Sequence, residues 1–509
     1  MLCLSARPAR RPAAALRSAL TVVFATGLAA LSLASHAQSN MDAGLPNLGA
    51  LAQHARVSAL VVRLSDMQTI AQLNPDSRLT PASVSKLFAA SAALQQFGPD
   101  HRFTSRFAST GAISGQTLNG DLVFVGGGDP SLDNRHMHEL IERLQASGIR
   151  KVTGNLIVDD GLWGTVPCLT EDRCDARTRA SHSYSAPLSS AGINFGTVAA
   201  TLYAGDRAGD ASRLVLHPQT LSGYTIDNQV KTGTRSSQAG VVAWRTYDAG
   251  NSTLHVRGSL PAGHPAYDFQ RAVTGAAAET ARVLAAMLDT AGIRVGGRVQ
   301  TRSGNVSDQG RTLAQVKSES LAEQLIPMLA YSNNYMADAL TLDVAAASQY
   351  NLPLTLPRAS QALEALSERA NQFAYPNLGS NNGGIFDSGS GLSLGNKISS
   401  RDLVALLAYM YRQNALFPAL YGAIPVPVSA PSRTLKQGDF DFQTRLVAKT
   451  GTLSEPVTVR ALAGYFRLAD GGFAAYGVVI NGTSADPSLT YQETVSAYQH
   501  DLEAILARY

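Results

Sequence analysis

Apolar residues recur along this chain with two periods, and the helical period is clearest after residue 80. Spacings of three and four link Leu87, Phe88 and Leu94, which predicts a helix with one face in a core. Thr80 is a suitable capping residue and Pro81 suits a first helical turn, so we expect the helix to begin there.

The same period returns in the second half of the chain. Residues 321–329 predict a helix with a kink at Pro327, and another helix is predicted to begin near Tyr335. Alternating residues then predict a hairpin of two strands, 457–468 and 473–480, joined by a turn containing two glycines.

Between about residues 100 and 280 the pattern changes to short β-rich runs separated by Gly and Asn. Such runs predict small strand-dominated modules rather than one long helical domain. The clearest of them are residues 121–125, 155–158, 213–216 and 253–256.

Both ends of the chain carry apolar helical patterns. Residues 1–37 carry four arginines and an apolar run over about 14–34, and Ser35-His36-Ala37 then suits cleavage of a secretory signal peptide before Gln38. A signal anchor is the alternative. The last residues, 496–509, predict an amphipathic helix packed on a sheet, because fourteen residues are too few to span a bilayer. We therefore expect an exported, periplasmic protein whose mature chain has no stable transmembrane segment.

Composition places the chain among multidomain globular proteins. It has 509 residues, 45% of them hydrophobic, which is enough for several cores. The formal net charge of +4 falls to about zero without the four N-terminal arginines, which have no acidic residue among them. The charge therefore gives no argument for a nucleic-acid partner or an anionic membrane.

Two cysteines, Cys168 and Cys174, remain after the predicted signal peptide. In an exported protein this spacing favours a disulfide that closes a short loop, and zinc is the weaker alternative because only His182 is nearby. His136 and His138 lie two apart, so on a helix they point to different faces, and we interpret them as solvated surface rather than metal ligands. We predict no metal and no organic cofactor.

Three short motifs carry the candidate chemistry, and the first is Ser83-Val84-Ser85-Lys86. A serine hydroxyl is a poor nucleophile until a base takes its proton, and Lys86 lies one helical turn away on the same face. A lysine acts as a base at neutral pH only when burial or a second cation lowers its pKa. Lys449 is the obvious second cation, and the N–H of Ser83 at a helix start can donate to an oxyanion.

The second motif, Ser332-Asn333-Asn334, lies between the two later helices and is predicted to form a tight loop. The Ser332 hydroxyl suits a proton relay to a leaving amine. The Asn334 amide can hold both Lys86 and a peptide group of the substrate.

The third motif, Lys449-Thr450-Gly451-Thr452, is predicted to close a strand over residues 445–448, just before the hairpin. The Thr450 and Thr452 hydroxyls, together with Lys449, suit a terminal carboxylate, and the Thr452 N–H is a second oxyanion donor. Gly451 would let a substrate backbone approach the strand.

Each motif alone has an ordinary structural explanation, and decoys exist. The chain repeats the third motif at Lys231-Thr232-Gly233-Thr234, and Ser380-Asn381-Asn382 and Ser303-Gly304-Asn305 fit the second. We prefer Ser332 because it lies between two predicted helices, and Lys449 because it follows Ser332 and precedes the predicted hairpin. Taken together, the three motifs predict a serine acyl-transfer site.

These motifs and four further signatures resemble the class C low-molecular-mass penicillin-binding proteins, the D-alanyl-D-alanine carboxypeptidase/endopeptidase family. The accessory signatures are GGGDPSL (126–132), GNLIVD (154–159), YSAPLSSAGIN (184–194) and DSGSGLS (387–393). Two departures are Asn333, where the family usually has Asp, and Ser388 in another usual Asp place, with Asp387 one position earlier. Neither departure touches the residues that are assigned to the chemistry.

The resemblance implies an α/β (α+β) multidomain fold with a penicillin-binding-protein/β-lactamase-like transpeptidase domain, an antiparallel sheet flanked by helices. We predict a signal peptide over 1–37, a discontinuous catalytic domain over 38–99 and 281–509, and inserted β-rich domains over 100–280, the second nested at about 185–255. Ser83 and Ser332 are about 250 residues apart, which leaves room for these insertions.

The implied activity is two-step acyl transfer on peptidoglycan stem peptides: removal of terminal D-Ala and cleavage of D-Ala to meso-diaminopimelate cross-bridges. β-Lactam antibiotics would acylate Ser83 as substrate mimics. The resemblance also suggests Asp159 as a contact for the substrate side chain, with a turn-forming role as the alternative. A serine β-lactamase and a non-catalytic cell-wall binding or sensing module are the alternative functions.

Overall fold

The computed structural model describes residues 44–176, 182–248, 250–303, 310–348, 351–377 and 383–509. The predicted signal peptide and the decoys Ser380-Asn381-Asn382 and Gly304-Asn305 lie outside these residues. The helices are α1 Pro46–Leu51, α2 Lys86–Phe97, α3 Asn134–Ala146, α4 Glu171–Ala176, α5 Ala276–Thr290, α6 Leu321–Ala330, α7 Asn334–Ala347, α8 Leu356–Ala374, α9 Ser400–Tyr411, α10 Phe417–Ala423, α11 Phe440–Arg445 and α12 Tyr491–Arg508.

Within the described residues, the strands form five sheets. In chain order they are β1 Arg56–Arg63, β2 Thr69–Leu73, β3 Thr104–Ser109, β4 Ala112–Ser114, β5 Thr117–Asn119, β6 Leu122–Val125, β7 Lys151–Val152, β8 Leu156–Asp159, β9 Thr197–Tyr203, β10 Arg213–His217, β11 Tyr224–Asn228, β12 Lys231–Gly233, β13 Gly240–Asp248, β14 Asn251–Pro261, β15 Tyr267–Ala272, β16 Arg294–Val295, β17 Val299–Arg302, β18 Arg311–Lys317, β19 Leu446–Leu453, β20 Val459–Arg467 and β21 Phe473–Asn481.

The sheet that carries the third motif is assembled from both ends of the chain. Its order is β19-β20-β21-β1-β2, and every pair in it is antiparallel. Strand β19 lies at an edge, with Lys449 opposite Ala463 and Thr452 opposite Arg460. This is the antiparallel sheet that the resemblance implies.

Helices cover both faces of this sheet because its strands alternate between two cores. In β1, Leu60 and Val62 pack in a cluster with α2 and α9, whereas Ala59 and Val61 face the opposite side. That second side is covered by α12, in which Leu502, Ile505 and Leu506 are buried as predicted. The two-layer burial fixes the register of β1, since a shift by one residue would exchange the two cores.

The segment between α2 and α6 holds the other four sheets. Strands β17-β8-β6-β3-β18 form a mixed sheet, and the remaining sheets have the orders β16-β7-β5-β4, β10-β9-β15, and β11-β14-β12 with β13 beside β14. Helices α3 and α5 supply buried Met, Leu, Ile and Val side chains to a core shared with these strands. The segment is therefore strand-dominated with its own core.

Pairing within this segment continues past residue 280. Strand β18 pairs with β3, and β17 pairs with β8. One sheet therefore contains strands that precede α5 in the sequence and strands that follow it. The sheets extend to Lys317, whereas the predicted insertion ends at residue 280. The division into domains stays a prediction.

The structure also bears on the predictions for the cysteine pair, the two histidines and membrane-spanning helices. Cys168 and Cys174 form the predicted disulfide. His138 is exposed, but the prediction of solvated surface is wrong for His136, whose ring is 3% exposed and contacts Asp133 in the capping box of α3. Among the described residues, no helix is long and apolar enough to cross a membrane.

Candidate active site

Ser83 lies in a short 3-10 turn, Ala82–Ser85, that leads directly into α2 at Lys86. The turn positions Ser83 so that its Oγ is 2.9 Å from Lys86 Nζ. The prediction that Thr80 caps this helix is wrong, because no side chain caps the turn. Thr80 instead accepts a hydrogen bond from Lys397 and is tied through its backbone to Asn481.

The backbone next to the nucleophile is held in an unusual conformation. Ala82 has φ +50°, a region that L-residues rarely adopt. Its carbonyl faces Gly391, where a Cβ would lie 2.0 Å from the Ala82 oxygen. A glycine at 391, with φ +73°, therefore allows this close packing.

Lys86 is completely buried and its Nζ has three polar partners. Besides Ser83 Oγ, these are Asn334 Oδ1 at 2.7 Å and the Ser390 carbonyl oxygen at 2.8 Å. The partners come from three separate parts of the chain. They fix the amine beside the serine hydroxyl.

Burial is the largest influence on the pKa of Lys86 and lowers it well below the usual lysine range. The charge of Lys449 lowers this pKa further, while the Asp338 carboxylate raises it and Arg173 lowers it. The shift favours the unprotonated amine, which is the form that a general base requires.

The loop between α6 and α7 places the second motif. Ser332 has φ +56°, and the Asn333 side chain caps α7 by accepting from the Met336 N–H at 3.1 Å. Asn334 is the first residue of α7, and its Nδ2 donates to the Tyr184 carbonyl at 3.1 Å. A carbonyl can only accept, so this contact assigns the Asn334 Oδ1 to Lys86.

Lys449 is 1% exposed and joins the second and third motifs. Its Nζ donates to Ser332 Oγ at 2.9 Å and to the Thr450 carbonyl at 2.8 Å. Burial lowers its pKa to about 7.

The third motif lies within strand β19 rather than after it. The sequence predicts a strand over 445–448, but Arg445 ends α11 and the strand runs from Leu446 to Leu453. The structure also gives Gly451 a role beyond substrate approach. A Cβ there would be 2.5 Å from the Pro81 carbonyl oxygen and 3.2 Å from Ser83 N. Glycine therefore lets the edge strand pass against the nucleophile turn.

A cleft of about 600 Å³ opens over these residues. Its lining includes members of all three motifs, two residues of the DSGSGLS signature, and the segment after the third motif. The described lining residues are Ser83, Tyr184, Ser332, Asn334, Gly391, Leu392, Thr452, Leu453, Ser454 and Glu455.

Asp159 is not brought to this cleft. Its side chain is 1% exposed, and its carboxylate accepts from Arg302 at 2.8 Å and from the Gly161 N–H at 2.9 Å. The decoy that begins at Lys231 lies in strand β12 of a different sheet. Within the described ranges, no group of three or more His, Cys, Asp or Glu side chains is arranged to hold a metal ion.

Sequence reasoning missed two backbone contacts of the site. The Ser390 carbonyl holds Lys86, and the Tyr184 carbonyl holds Asn334. Both residues lie in signatures that the sequence shows, DSGSGLS and YSAPLSSAGIN, but a backbone acceptor leaves no mark in residue type. The signatures themselves were the only available signal.

The departures from the family pattern lie beside this chemistry rather than in it. Asn333 caps a helix, for which Asn and Asp are equally suitable. The Asp387 carboxylate accepts from the Ser393 hydroxyl at 2.9 Å, within its own loop.

Comparison with known proteins agrees with this geometry. The model of the D-Ala-D-Ala carboxypeptidase 3 (S13) family matches residues 37–502. A D-alanyl-D-alanine carboxypeptidase of Actinomadura sp. (strain R39) is 30% identical over 437 residues, covering 82% of this chain and 76% of that protein.

Solved structures show the same fold. Penicillin binding protein 4 from Haemophilus influenzae is similar with a TM-score of 0.72 and 22% identity, over 92% of this chain and 99% of that one. A structure of the same protein complexed with a β-lactam has a TM-score of 0.67 over the same coverage, also at 22% identity. The predicted fold, with its transpeptidase-like sheet, is thereby confirmed. The family match over most of the chain shows that it belongs to the D-Ala-D-Ala carboxypeptidase 3 (S13) family and is a serine D-Ala-D-Ala carboxypeptidase.

Proposed function

We propose that the protein cleaves D-Ala-D-Ala peptides through an acyl-enzyme on Ser83, with Lys86 as the general base. The observation that carries this proposal is the set of partners around Lys86 Nζ. A neutral amine has two N–H bonds and one lone pair. The Asn334 and Ser390 oxygens can only accept, so they take the two N–H bonds. The lone pair then faces Ser83, whose hydroxyl is the one partner able to donate.

The first step follows from this arrangement. Lys86 takes the proton of Ser83 as Oγ attacks the carbonyl carbon of the scissile bond, and the carbonyl oxygen becomes an oxyanion. The N–H groups of Ser83 and of Thr452 on the edge strand are the proposed donors to that oxyanion. Each such donor is worth roughly 3 kcal/mol of transition-state stabilisation.

The second lysine and Ser332 serve the leaving group. Ser332 Oγ lies 2.9 Å from Lys449 Nζ, so a proton can be relayed to the departing amine through the serine hydroxyl. The tetrahedral intermediate collapses, the C–N bond breaks, and the amine leaves protonated. Water then attacks the ester carbonyl and its proton passes through Ser332 to Lys449, which regains the proton given to the amine. The ester C–O bond breaks, Lys86 returns its proton to Ser83 Oγ, and the enzyme is restored.

Substrate recognition uses the edge strand and the cleft. We propose that Lys449 and the Thr450 and Thr452 hydroxyls bind the terminal carboxylate, while the extended peptide pairs with β19. A cleft of about 600 Å³ accommodates more than one amino-acid residue of a stem peptide. We accordingly propose D-Ala to meso-diaminopimelate endopeptidase activity as well. The predicted signal peptide supports a periplasmic location for both activities.

β-Lactams are proposed as inhibitors that acylate the same serine. The similar Haemophilus influenzae protein has been solved with a β-lactam bound, which supports this expectation. A β-lactamase would differ by fast deacylation, which turnover of the antibiotic would reveal.

The test uses the mature protein with two substrates, a stem pentapeptide ending in D-Ala-D-Ala and a cross-linked muropeptide dimer. We expect release of D-Ala from the first and of two monomers from the second, and neither product with Ser83→Ala. If the dimer remains intact while D-Ala is released, the endopeptidase proposal fails and the carboxypeptidase mechanism stands. If the Ser83→Ala variant retains activity, the proposed nucleophile is wrong.

A further inference from the structure

A buried ion pair connects the disulfide loop to the helix that carries Asn334. The Cys168–Cys174 disulfide closes a loop that contains most of α4, including Arg173. Arg173 Nη2 lies 2.6 Å from Asp338 Oδ2, and the two side chains are 4% and 0% exposed. The loop belongs to the segment between β8 and β9, so that segment places a positive charge inside the interior next to α7.

Asp338 is linked in turn to the base. Its Oδ1 accepts from the Ser390 N–H at 2.8 Å, and the carbonyl of the same Ser390 accepts from Lys86 Nζ at 2.8 Å. Asp338 also lies one helical turn after Asn334, the other oxygen partner of Lys86. Asp338 therefore supports the Ser390 contact of the amine directly, and it lies on the same face of α7 as the residue that makes the other oxygen contact.

This support has an electrostatic cost. A buried carboxylate near Lys86 favours the protonated amine, which cannot act as a base. The charged groups that face Lys86 are Asp338 on α7, Lys449 on β19 and Arg173 on α4. Asp338 raises the pKa of Lys86, and the two cations lower it. Without Arg173, the carboxylate would be buried next to the site with no opposite charge in contact.

We propose that Arg173 is a positioning residue for acylation: it neutralises Asp338, so that Asp338 can hold the Ser390 peptide against Lys86 without keeping the amine protonated. The inference rests on the proposed function, because it presupposes that Lys86 is the base. It makes the disulfide loop part of the machinery that prepares the nucleophile, although Arg173 touches neither Ser83 nor the cleft.

The test measures the rate of Ser83 acylation by benzylpenicillin as a function of pH. Acylation requires neutral Lys86, so the rate rises with pH as Lys86 loses its proton. This rising part of the pH–rate profile is the acid limb. We expect Arg173→Gln to move this limb to higher pH by about one unit, a loss of about tenfold at a fixed pH on the limb. Asp338→Asn keeps an oxygen acceptor for the Ser390 N–H but removes the charge, so its limb should move to lower pH. The double variant removes both charges and should return the limb close to that of the wild type.

Opposite shifts for the two single variants, cancelled in the double variant, would establish the electrostatic role. Arg173→Lys keeps the positive charge, so its acid limb should lie close in pH to that of the wild type. A uniform loss of rate at every pH in Arg173→Gln, with the limb unmoved, would overturn the inference and indicate a merely structural role. If Arg173→Gln does not fold, the acid limb of Asp338→Asn is compared with that of the double variant, because neither protein contains an unpaired carboxylate at residue 338. The limb of the double variant should lie at the higher pH, and coincident limbs would overturn the inference.

Arg282→Gln is the matched control. Arg282 pairs with the buried Glu279 on α5 and does not face Lys86. It should lower stability without moving the limb. Failure of the proposed function is distinguishable, because the wild type would then show no adduct on Ser83 at any pH.

Discussion

Asn334 and Tyr184 form a hydrogen bond that decides which way the Asn334 amide points. Nδ2 donates to the Tyr184 carbonyl at 3.1 Å, which leaves Oδ1 to face Lys86 at 2.7 Å. The contact crosses 150 residues of sequence, from the inserted segment to the start of α7. A backbone carbonyl thus orients the side chain that orients the base.

This relationship predicts the effect of Asn334→Asp. A carboxylate at this position would attract a proton onto Lys86 and would set two oxygens against each other at Tyr184. We expect Ser83 acylation at neutral pH to fall by at least about 100-fold, with a partial recovery at higher pH. Stopped-flow measurement with a chromogenic β-lactam reports the rate.

Asn333→Asp is the matched control for that variant. Residue 333 caps α7 through its side-chain oxygen, and Asp serves as well as Asn in that position. Acylation by the control should remain within about twofold of the wild type. Equal losses in the two variants would show that the loop, and not the amide of Asn334, sets the rate.

Gly451→Ala should separate the edge strand from the nucleophile turn. The new methyl group would meet the Pro81 carbonyl oxygen at 2.5 Å, and both contacting segments are backbone that cannot move aside easily. We predict loss of stability by about 1–3 kcal/mol and a fall in acylation of at least about tenfold. Thermal unfolding and the acylation rate measure the two effects.

Gly422→Ala provides the comparison, because a Cβ at this position in α10 meets no atom within 4 Å. Helix propensity favours alanine there by roughly 0.5–1 kcal/mol, so the variant should be slightly more stable and fully active. If Gly451→Ala behaved in the same way, the close packing of β19 on the nucleophile turn would be refuted.

Asp129 should make stability depend on pH. It is 4% exposed, and burial raises its pKa to about 6. In the unfolded chain the group titrates near 3.8, so the folded state binds the proton more tightly. The resulting stabilisation is fully present below pH 3.8 and is lost as the pH rises through about 6.

Asp129→Asn keeps an oxygen for the Ser131 N–H and hydroxyl but cannot ionise. Relative to wild type, the variant should gain roughly 2–3 kcal/mol between about pH 4 and about pH 7. Denaturant unfolding at those two pH values measures the gain, with the exposed Asp100→Asn as control. A difference between variant and wild type that does not change with pH would contradict the prediction.

The parts of the site that the sequence predicts are those set by local structure. Ser83 and Lys86 are three residues apart, so one helical turn brings them together whatever the rest of the chain does. The loop at Ser332 follows in the same way from the two helices that flank it. The sequence predicts the edge strand only over 445–448, because Thr450 and Gly451 do not continue an apolar pattern that would extend it to Leu453.

The rest of the site depends on contacts over long sequence distances. Lys86 meets Asn334 across 248 residues and Ser390 across 304, and Thr80 is drawn to Asn481 across 401 residues instead of capping its own helix. Residue type reveals neither a carbonyl acceptor nor a buried partner such as Arg173. Asp159 likewise has a distant partner that the sequence does not reveal, because its buried carboxylate accepts from Arg302.

The proposed mechanism depends on Ser83, activated by Lys86, as the nucleophile. Mass spectrometry of the mature protein after incubation with benzylpenicillin tests it most directly, beside Ser83→Ala. We predict a long-lived penicilloyl adduct that maps to Ser83 in the wild type and is absent from the variant. An adduct on another residue, or no adduct and no turnover of the antibiotic, would show that Ser83 is not the nucleophile.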